Sequence, residues 1–390
     1  VIIAARNAVA LVFVLNGLAF SCLVARLPDV RSGLSLSNGE LGLLLLAITA
    51  GSLVALSASG RLVDRLGAAA VVRAGCVFVV AGFLLATAGV AAWSSVPVTA
   101  AGFVVYGAGI GGWDVAMNVE AAEVERELKR TIMPRFHAAW SLGTFGGAGI
   151  GVVLTRLDVP VAVHWIVGAV AAAVLTGVSA GRFVTASPKA DDEEGVVSGR
   201  SRSPWREPRT LAIGLVVLCF AVVEGAANDW LTLALIDGYD AEHWVGVAGF
   251  AVFVSAMTIG RLTGPRALDH FGRVPVLAAS AGVSGAGIAL VVWGGVWPLV
   301  TVGIVLWGLG AALGFPVGMS AAADDPADAA RRVGVVATIA YGAFLGGPPL
   351  LGWLADHVGT LDALAAVAAL LVVALLAVGS MKEQHRESAE

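Results

Sequence analysis

Apolar stretches of about twenty residues, separated by polar turns, recur twelve times along this chain of 390 residues. A helix needs ~20 mostly apolar residues to cross a bilayer's hydrocarbon layer. The pattern therefore predicts spanning helices near 6–28, 38–60, 70–92, 97–121, 134–155, 160–183, 209–236, 243–265, 273–293, 297–320, 334–356 and 362–381. Most connections are short and hold turn formers and charges, as at Pro28-Asp29, Ser94-Ser95 and Asp240-Ala241-Glu242. Residues 184–208 differ, because VTASPKADDEEGVVSGRSRSPWREP is polar, mixed in charge and rich in Ser, Gly and Pro, the composition of a flexible linker. That stretch divides the spans six and six. The expected organisation is an N-terminal six-helix bundle over 1–183, a linker over 184–208, a C-terminal six-helix bundle over 209–381 and a tail over 382–390. The fold class is all-α membrane protein. The basic-then-apolar start reads as the first transmembrane helix rather than a removed signal peptide.

Composition sharpens this picture. Hydrophobic residues make up 58% of the chain and charged residues 13%, against ~45–50% and ~25% in soluble domains. The excess apolar surface needs lipid as its solvent. A net charge of −4 supplies no basic field for nucleic acid. Cys22, Cys76 and Cys219 sit in apolar runs without a CxxC or Cys/His cluster, so neither disulfides nor a metal site is expected, and no cofactor. With both termini in the cytoplasm, all of the 24 Lys and Arg except Arg26, Arg31 and Arg156 fall on the inner side. The positive-inside rule favours that orientation. Trp93, Trp165, Trp244, Trp293, Trp297 and Trp353 lie near predicted outer ends, where amphipathic rings settle. A multi-pass inner-membrane protein, monomeric in its bilayer, is the expectation.

The second half echoes the first at an offset near 200 residues. Gly60-Arg61-Leu62 returns as Gly260-Arg261-Leu262, and Asp64-Arg65-Leu66-Gly67 as Asp269-His270-Phe271-Gly272. VYGAGIGGWDVAMN at 105–118 returns as LWGLGAALGFPVGM at 306–319. Two parallel six-helix halves are the plan of transporters that expose a central site alternately to each side. The segment GRLVDRLG, placed between the second and third spans, resembles the loop signature G-x-L-x-D-R-x-G of the major facilitator superfamily. The resemblance covers the whole chain in span count, linker and repeat. It implies a cytoplasmic gate built from Gly60, Arg61, Asp64 and Arg65, with Arg261 and Asp269 in the second copy. Ala68, Ala69 and Ala70 stand where basic residues usually follow, so the latch is expected to be weaker or differently partnered. VARLPDVR, WDVAMN, MPRFHAAWSLG and EGAANDW resemble a poorly characterised branch distantly similar to fucose permease.

Charged groups at membrane depth cost ~2.5–3.5 kcal/mol on insertion scales and so point to function. Glu224 lies near the midplane of the seventh span, Asp229 further toward the outside, and Asp114 past the middle of the fourth. No Lys or Arg is predicted at their depth, and an unpaired carboxylate in a low dielectric is a candidate proton carrier. His137, at the cytoplasmic start of the fifth span, is a candidate relay because imidazole titrates near ~6.5; the plainer alternative is a cap on that hairpin. His164, His243, His270, His357 and His385 read as loop or interface residues. Glu224 and Asn228 are i,i+4, as are Asp114 and Asn118, so each pair shares a helix face. With Asn16 on the first span, these amides are candidate solute contacts; helix–helix hydrogen bonding is the alternative. Trp113, Trp140, Trp230 and Trp307, away from the outer interface, would suit a ring-bearing polar solute or plain packing.

The expected function is proton-coupled import of a small polar solute, such as a sugar or related metabolite, by alternating access, with protons, solute and lipid bilayer as the partners. Proton-coupled efflux of drugs or metabolites is the alternative. The glycines of 142–151 lack the proline of the drug antiporters' fifth-helix signature, which lowers that reading. A receptor that no longer transports is a second alternative. No nucleophile–base pair stands out, so an enzyme is not expected.

Overall fold

A computed structural model describes residues 2–129, 132–184, 203–324 and 328–383. Among these there are helices and no strand. That follows from the solvent: lipid offers backbone N–H and C=O groups no partner, so a span must satisfy them within itself. Twelve helices are long and apolar enough to cross. They are α1 (Ile2–Gly33), α2 (Asn38–Leu66), α3 (Ala68–Ala92), α4 (Val96–Leu128), α5 (Arg135–Arg156), α6 (Val161–Ala180), α7 (Pro208–Tyr239), α8 (His243–Phe271), α9 (Arg273–Trp293), α10 (Trp297–Ala322), α11 (Arg331–Val358) and α12 (Thr360–Met381). The expected linker falls largely outside the described residues, as do residues 384–390 of the expected tail.

Several helices outrun the predicted spans. GRLVDRLG, expected as a loop, is helical through Leu66, and the turn is confined to Gly67 at φ 81°. Gly67 N–H donates back to the Val63 carbonyl, and Gly272 (φ 78°) repeats the arrangement on Leu268. Glycine takes this left-handed cap without the Cβ clash other residues suffer, so both copies of the signature stop at one residue. Upstream, Ser37 and Glu40 form a capping box that starts α2: Glu40 N–H donates to Ser37 Oγ at 3.2 Å and Ser37 N–H to Glu40 Oε2 at 2.8 Å.

The chain divides into two compact units. The first holds residues 1–197 together with Ala241–Ala251; the second holds Ser198–Asp240 and Val252–Glu390. In the first, α1 packs on α5 and α6, and α3 on α4 and α6. In the second, α7 packs on α11 and α12, and α9 on α10 and α12, so the repeat seen in sequence is a repeat of packing.

The first unit is closed by a break in α1. Arg26 N–H bonds the Leu23 carbonyl, one residue short of an α-helical bond, which frees the Cys22 carbonyl. Trp165 Nε1 donates to that carbonyl at 3.0 Å, so this tryptophan is fully buried rather than settled at an interface. Phe83 packs on the same indole with ring centroids 5.2 Å apart. The break also turns Arg26 inward. It is 2% exposed, donates from Nε to His164 Nδ1 at 3.0 Å and from Nη2 to the Val159 carbonyl at 2.8 Å, and reaches Asp29 at 3.4 Å. His164 is therefore a core residue and not the loop or interface residue expected. Ala241–Ala251 cover this corner: His243 Nε2 lies 3.2 Å from the Ala25 carbonyl, and the Arg156 guanidinium stands 5.3 Å over the Trp244 ring.

The second unit is tied at its helix ends by charge. Asp324, just past α10, accepts from Arg209 Nη2 of α7 at 2.8 Å and from Arg273 Nη1 of α9 at 2.7 Å. Glu207, preceding α7, accepts from Arg332 Nε of α11 at 2.7 Å and from Thr210 Oγ1 at 2.8 Å. The Arg332 hydrogen bond chiefly, with Thr210 and the Arg332 charge assisting, holds the Glu207 carboxyl below its usual value against the opposing effect of burial. All three cysteines are free and buried, as small hydrophobes are.

Candidate functional site

Polar groups within the spanning helices occur in each unit. In the first unit, Asp114 and Asn118 lie one turn apart on α4. Asn118 Nδ2 donates to the Asp114 carbonyl at 2.8 Å and reaches its Oδ1 at 3.4 Å. The Asp114 side chain is exposed on the unit and Asn118 is half-buried. Asn16, buried on α1, is held separately: its Oδ1 accepts from Trp140 Nε1 at 2.9 Å, and its Nδ2 is buried without a partner among the described residues. Trp140 is half-buried and leans on Phe20, with centroids 5.8 Å apart. His137 is exposed one turn earlier and meets Phe13 edge-on at 5.5 Å. The amides expected to act together are thus engaged two by two within this unit, Asn118 with Asp114 and Asn16 with Trp140. Glu120 is buried and accepts the Val184 N–H.

In the second unit the expectation of unpaired carboxylates fails at Glu224. Arg261 of α8 places Nη2 3.0 Å from Oε1 and 3.1 Å from Oε2 of Glu224. The repeat aligns Arg261 with Arg61 and so with a loop-end gate, but α8 continues to Phe271, ten residues further on. At 1.5 Å rise per residue this puts Arg261 about 15 Å inside the helix end. Asn228, one turn along α7 from Glu224, is half-buried and makes no hydrogen bond among the described residues.

Asp229 keeps the expected character. It is half-buried, has no hydrogen-bonding or ionic partner among the described residues, and lines a small cavity with Trp230, Gly225, Phe344, Gly347 and Pro348. Gly347 and Pro348 belong to the glycine–proline run of α11. Trp230 Nε1 is buried and unpartnered as well. Of the four tryptophans offered as solute contacts, Trp113, Trp230 and Trp307 are at most 1% exposed. Trp307 is consumed by packing, donating from Nε1 to the Val223 carbonyl at 3.1 Å. Only Trp140 of the four keeps an accessible face.

The residues of the expected gate in the first unit, Gly60, Arg61, Asp64 and Arg65, are all exposed on the last turns of α2, and the three side chains form no hydrogen bond or ion pair among the described residues. Asp269 is likewise exposed, on the last turn of α8. Sequence reasoning missed the Arg26–His164 corner and the Asp324 tie. Arg26 resembled an ordinary outer-loop charge, and Asp324 lies in a polar turn without periodicity; the acidic run Asp324, Asp325 and Asp328 between arginine-led helices was the available signal.

The family model described as Major Facilitator Superfamily matches residues 9–266 and 245–389. An uncharacterised transporter, y4wD of Sinorhizobium fredii, is 33% identical over 348 residues, covering 88% of this chain and 89% of that protein. Among solved structures, a mutant of the nucleoside transporter NupG matches with a TM-score of 0.80 at 13% identity, over 97% of this chain and 100% of that one. A D-xylose–proton symporter matches at 0.78 and 13% identity, over 97% of each chain.

Proposed function

The chain belongs to the major facilitator superfamily, and from that membership we propose a proton-coupled symporter that imports a small polar solute by alternating access. It is a multi-pass inner-membrane transporter and not an enzyme. The observation that carries proton coupling is Asp229, a carboxylate within a spanning helix with no counter-charge among the described residues and a small cavity beside it. A proton arriving there displaces no existing partner, whereas at Glu224 it competes with Arg261. Asp114, with its backbone-tied Asn118, is the corresponding group in the first unit. His137, exposed on α5, serves as the relay in this reading. Asn16, Asn118, Asn228 and the Trp140 face supply the contacts for a polar, ring-bearing solute, as a sugar would need. Both termini face the cytoplasm in this reading, with Asp64 and Arg65 on the gate side.

The test is uptake into proteoliposomes under an imposed pH gradient, with sugars and related metabolites screened first for binding by thermal shift. Asp229→Asn and Asp114→Asn are expected to lose gradient-driven accumulation while retaining solute exchange at equal pH. Full accumulation by both variants would sink the coupling assignment.

A further inference from the structure

We infer that Arg261 is a carboxylate-binding group and that the transported solute is a small hydroxy acid of the sugar-acid type, whose carboxylate takes the place of Glu224 on the guanidinium. Arg261 lies well inside a spanning helix, where a bare charge is costly and needs a counter-ion. Glu224 supplies it here, yet only through one nitrogen: Nη2 serves both carboxylate oxygens. Guanidinium carries five N–H donors in a planar fork that matches a carboxylate two bonds at a time. The donors on Nε and Nη1 have no partner among the described residues, and the side chain keeps 28% of its surface accessible. Asn228, on the same face of α7 as Glu224, adds a half-buried amide without a hydrogen bond among the described residues, fit for a hydroxyl. A neutral sugar would leave these charged donors unmatched. A hydroxy acid satisfies both the fork and the amide.

The exchange balances. An acid can displace Glu224 without leaving an excess negative charge only if Glu224 takes up a proton. Arg261 then holds the solute's carboxylate, Glu224 is neutral, and the loaded site has gained one proton and one monoanion, a net charge of zero. For an acid solute the one coupling proton therefore sits on Glu224 in place of Asp229; symport itself rests on the reading above, while carboxylate binding at Arg261 does not. A consequence is that uptake responds to the pH gradient and is indifferent to membrane potential.

The experiment uses the purified full chain and three matched pairs: D-glucose and D-glucuronate, D-galactose and D-galacturonate, glycerol and glycerate, with sodium chloride at equal ionic strength as control. Thermal shift is expected to show an acid stabilising the protein where its neutral partner and chloride do not. Glu224→Gln, which removes the internal competitor, should tighten acid binding about tenfold, the scale of one charge-assisted bond. Arg261→Gln should abolish it, and Arg261→Lys should restore part through charge alone. For the acid that binds, radiolabelled uptake at a fixed pH gradient should stay constant when a potassium diffusion potential is imposed. Neutral members binding as well as their acids, no acid binding at all, or acid binding untouched in a folded Arg261→Gln would each overturn the inference. Acid binding without a pH-gradient response would instead overturn the symport reading and leave the carboxylate site standing.

Discussion

The two units share one six-helix plan and are held by different means. In the first, glycines bring backbone against backbone: a Cβ at Gly143 would overlap the Val14 carbonyl oxygen, and one at Gly107 the Ile48 carbonyl oxygen. In the second, Gly308, the repeat of Gly107, likewise meets a backbone, the Phe253 carbonyl oxygen, while further along α10 side chains enter, Val217 at Gly318 and Phe220 at Gly314. Charge separates the two units more sharply. The first unit leaves Asp64 and Arg65 exposed, whereas the second ties Asp324 to Arg209 and Arg273 and Glu207 to Arg332. Close backbone seams gain dispersion and small-residue packing where lipid gives no hydrophobic drive between helices. The second unit keeps such seams and adds ion pairs at its helix ends. One repeat can therefore diverge in what holds it while conserving how its helices are ordered.

The contrast can be broken most sharply at the seams. Gly143→Ala must separate two backbones and is expected to cost about 3 kcal/mol or more, read as loss of folded protein in detergent. Gly318→Ala meets a valine side chain that can turn and should cost about 1 kcal/mol. Equal losses in unfolding measurements would erase the distinction. Next in size, Asp324→Asn leaves two partly exposed arginines without a counter-charge, about 2 kcal/mol after allowing for solvent screening. By contrast Asp64→Asn, at an exposed position of the first unit, should change stability by less than about 0.5 kcal/mol. The smallest effect is also pH-dependent. Because Arg332 holds Glu207 below the ordinary carboxyl value, its contribution is present above the unfolded value of about 4.3 and is lost as pH falls through the lower folded value. The melting difference between wild type and Glu207→Gln should therefore be visible at neutral pH and close under strong acid; a constant difference would show that Arg332 is not the cause.

The spans were legible because each needs only length and apolarity, and twelve such stretches became twelve helices. Helix ends were less so: GRLVDRLG looked like a loop for its charges, yet no residue before Gly67 prevents the helix from continuing. The unpaired character of Asp229 was legible because no Lys or Arg lies near it on its own span, and none among the described residues pairs with it. The Glu224–Arg261 pair could not, since its two members lie 37 positions apart on separate helices and the repeat drew Arg261 toward Arg61. Arg26 was hidden for a related reason. A charge looks like a loop residue until a break in the helix turns it inward onto a histidine 138 positions away.

That Ala241–Ala251 belong with the first unit has a consequence for synthesis. The patch they cover, around Ala25 and Arg156, stays open until the ribosome has made α7 and begun α8. At ~5–20 residues per second the interval from Val197 to Ala251 is roughly 3–11 s. During it the nascent chain carries the first six helices with this corner uncovered. Split expression should obey the same boundary: a fragment ending near Val197 is short of its own cap, and one extended through Ala251 carries it.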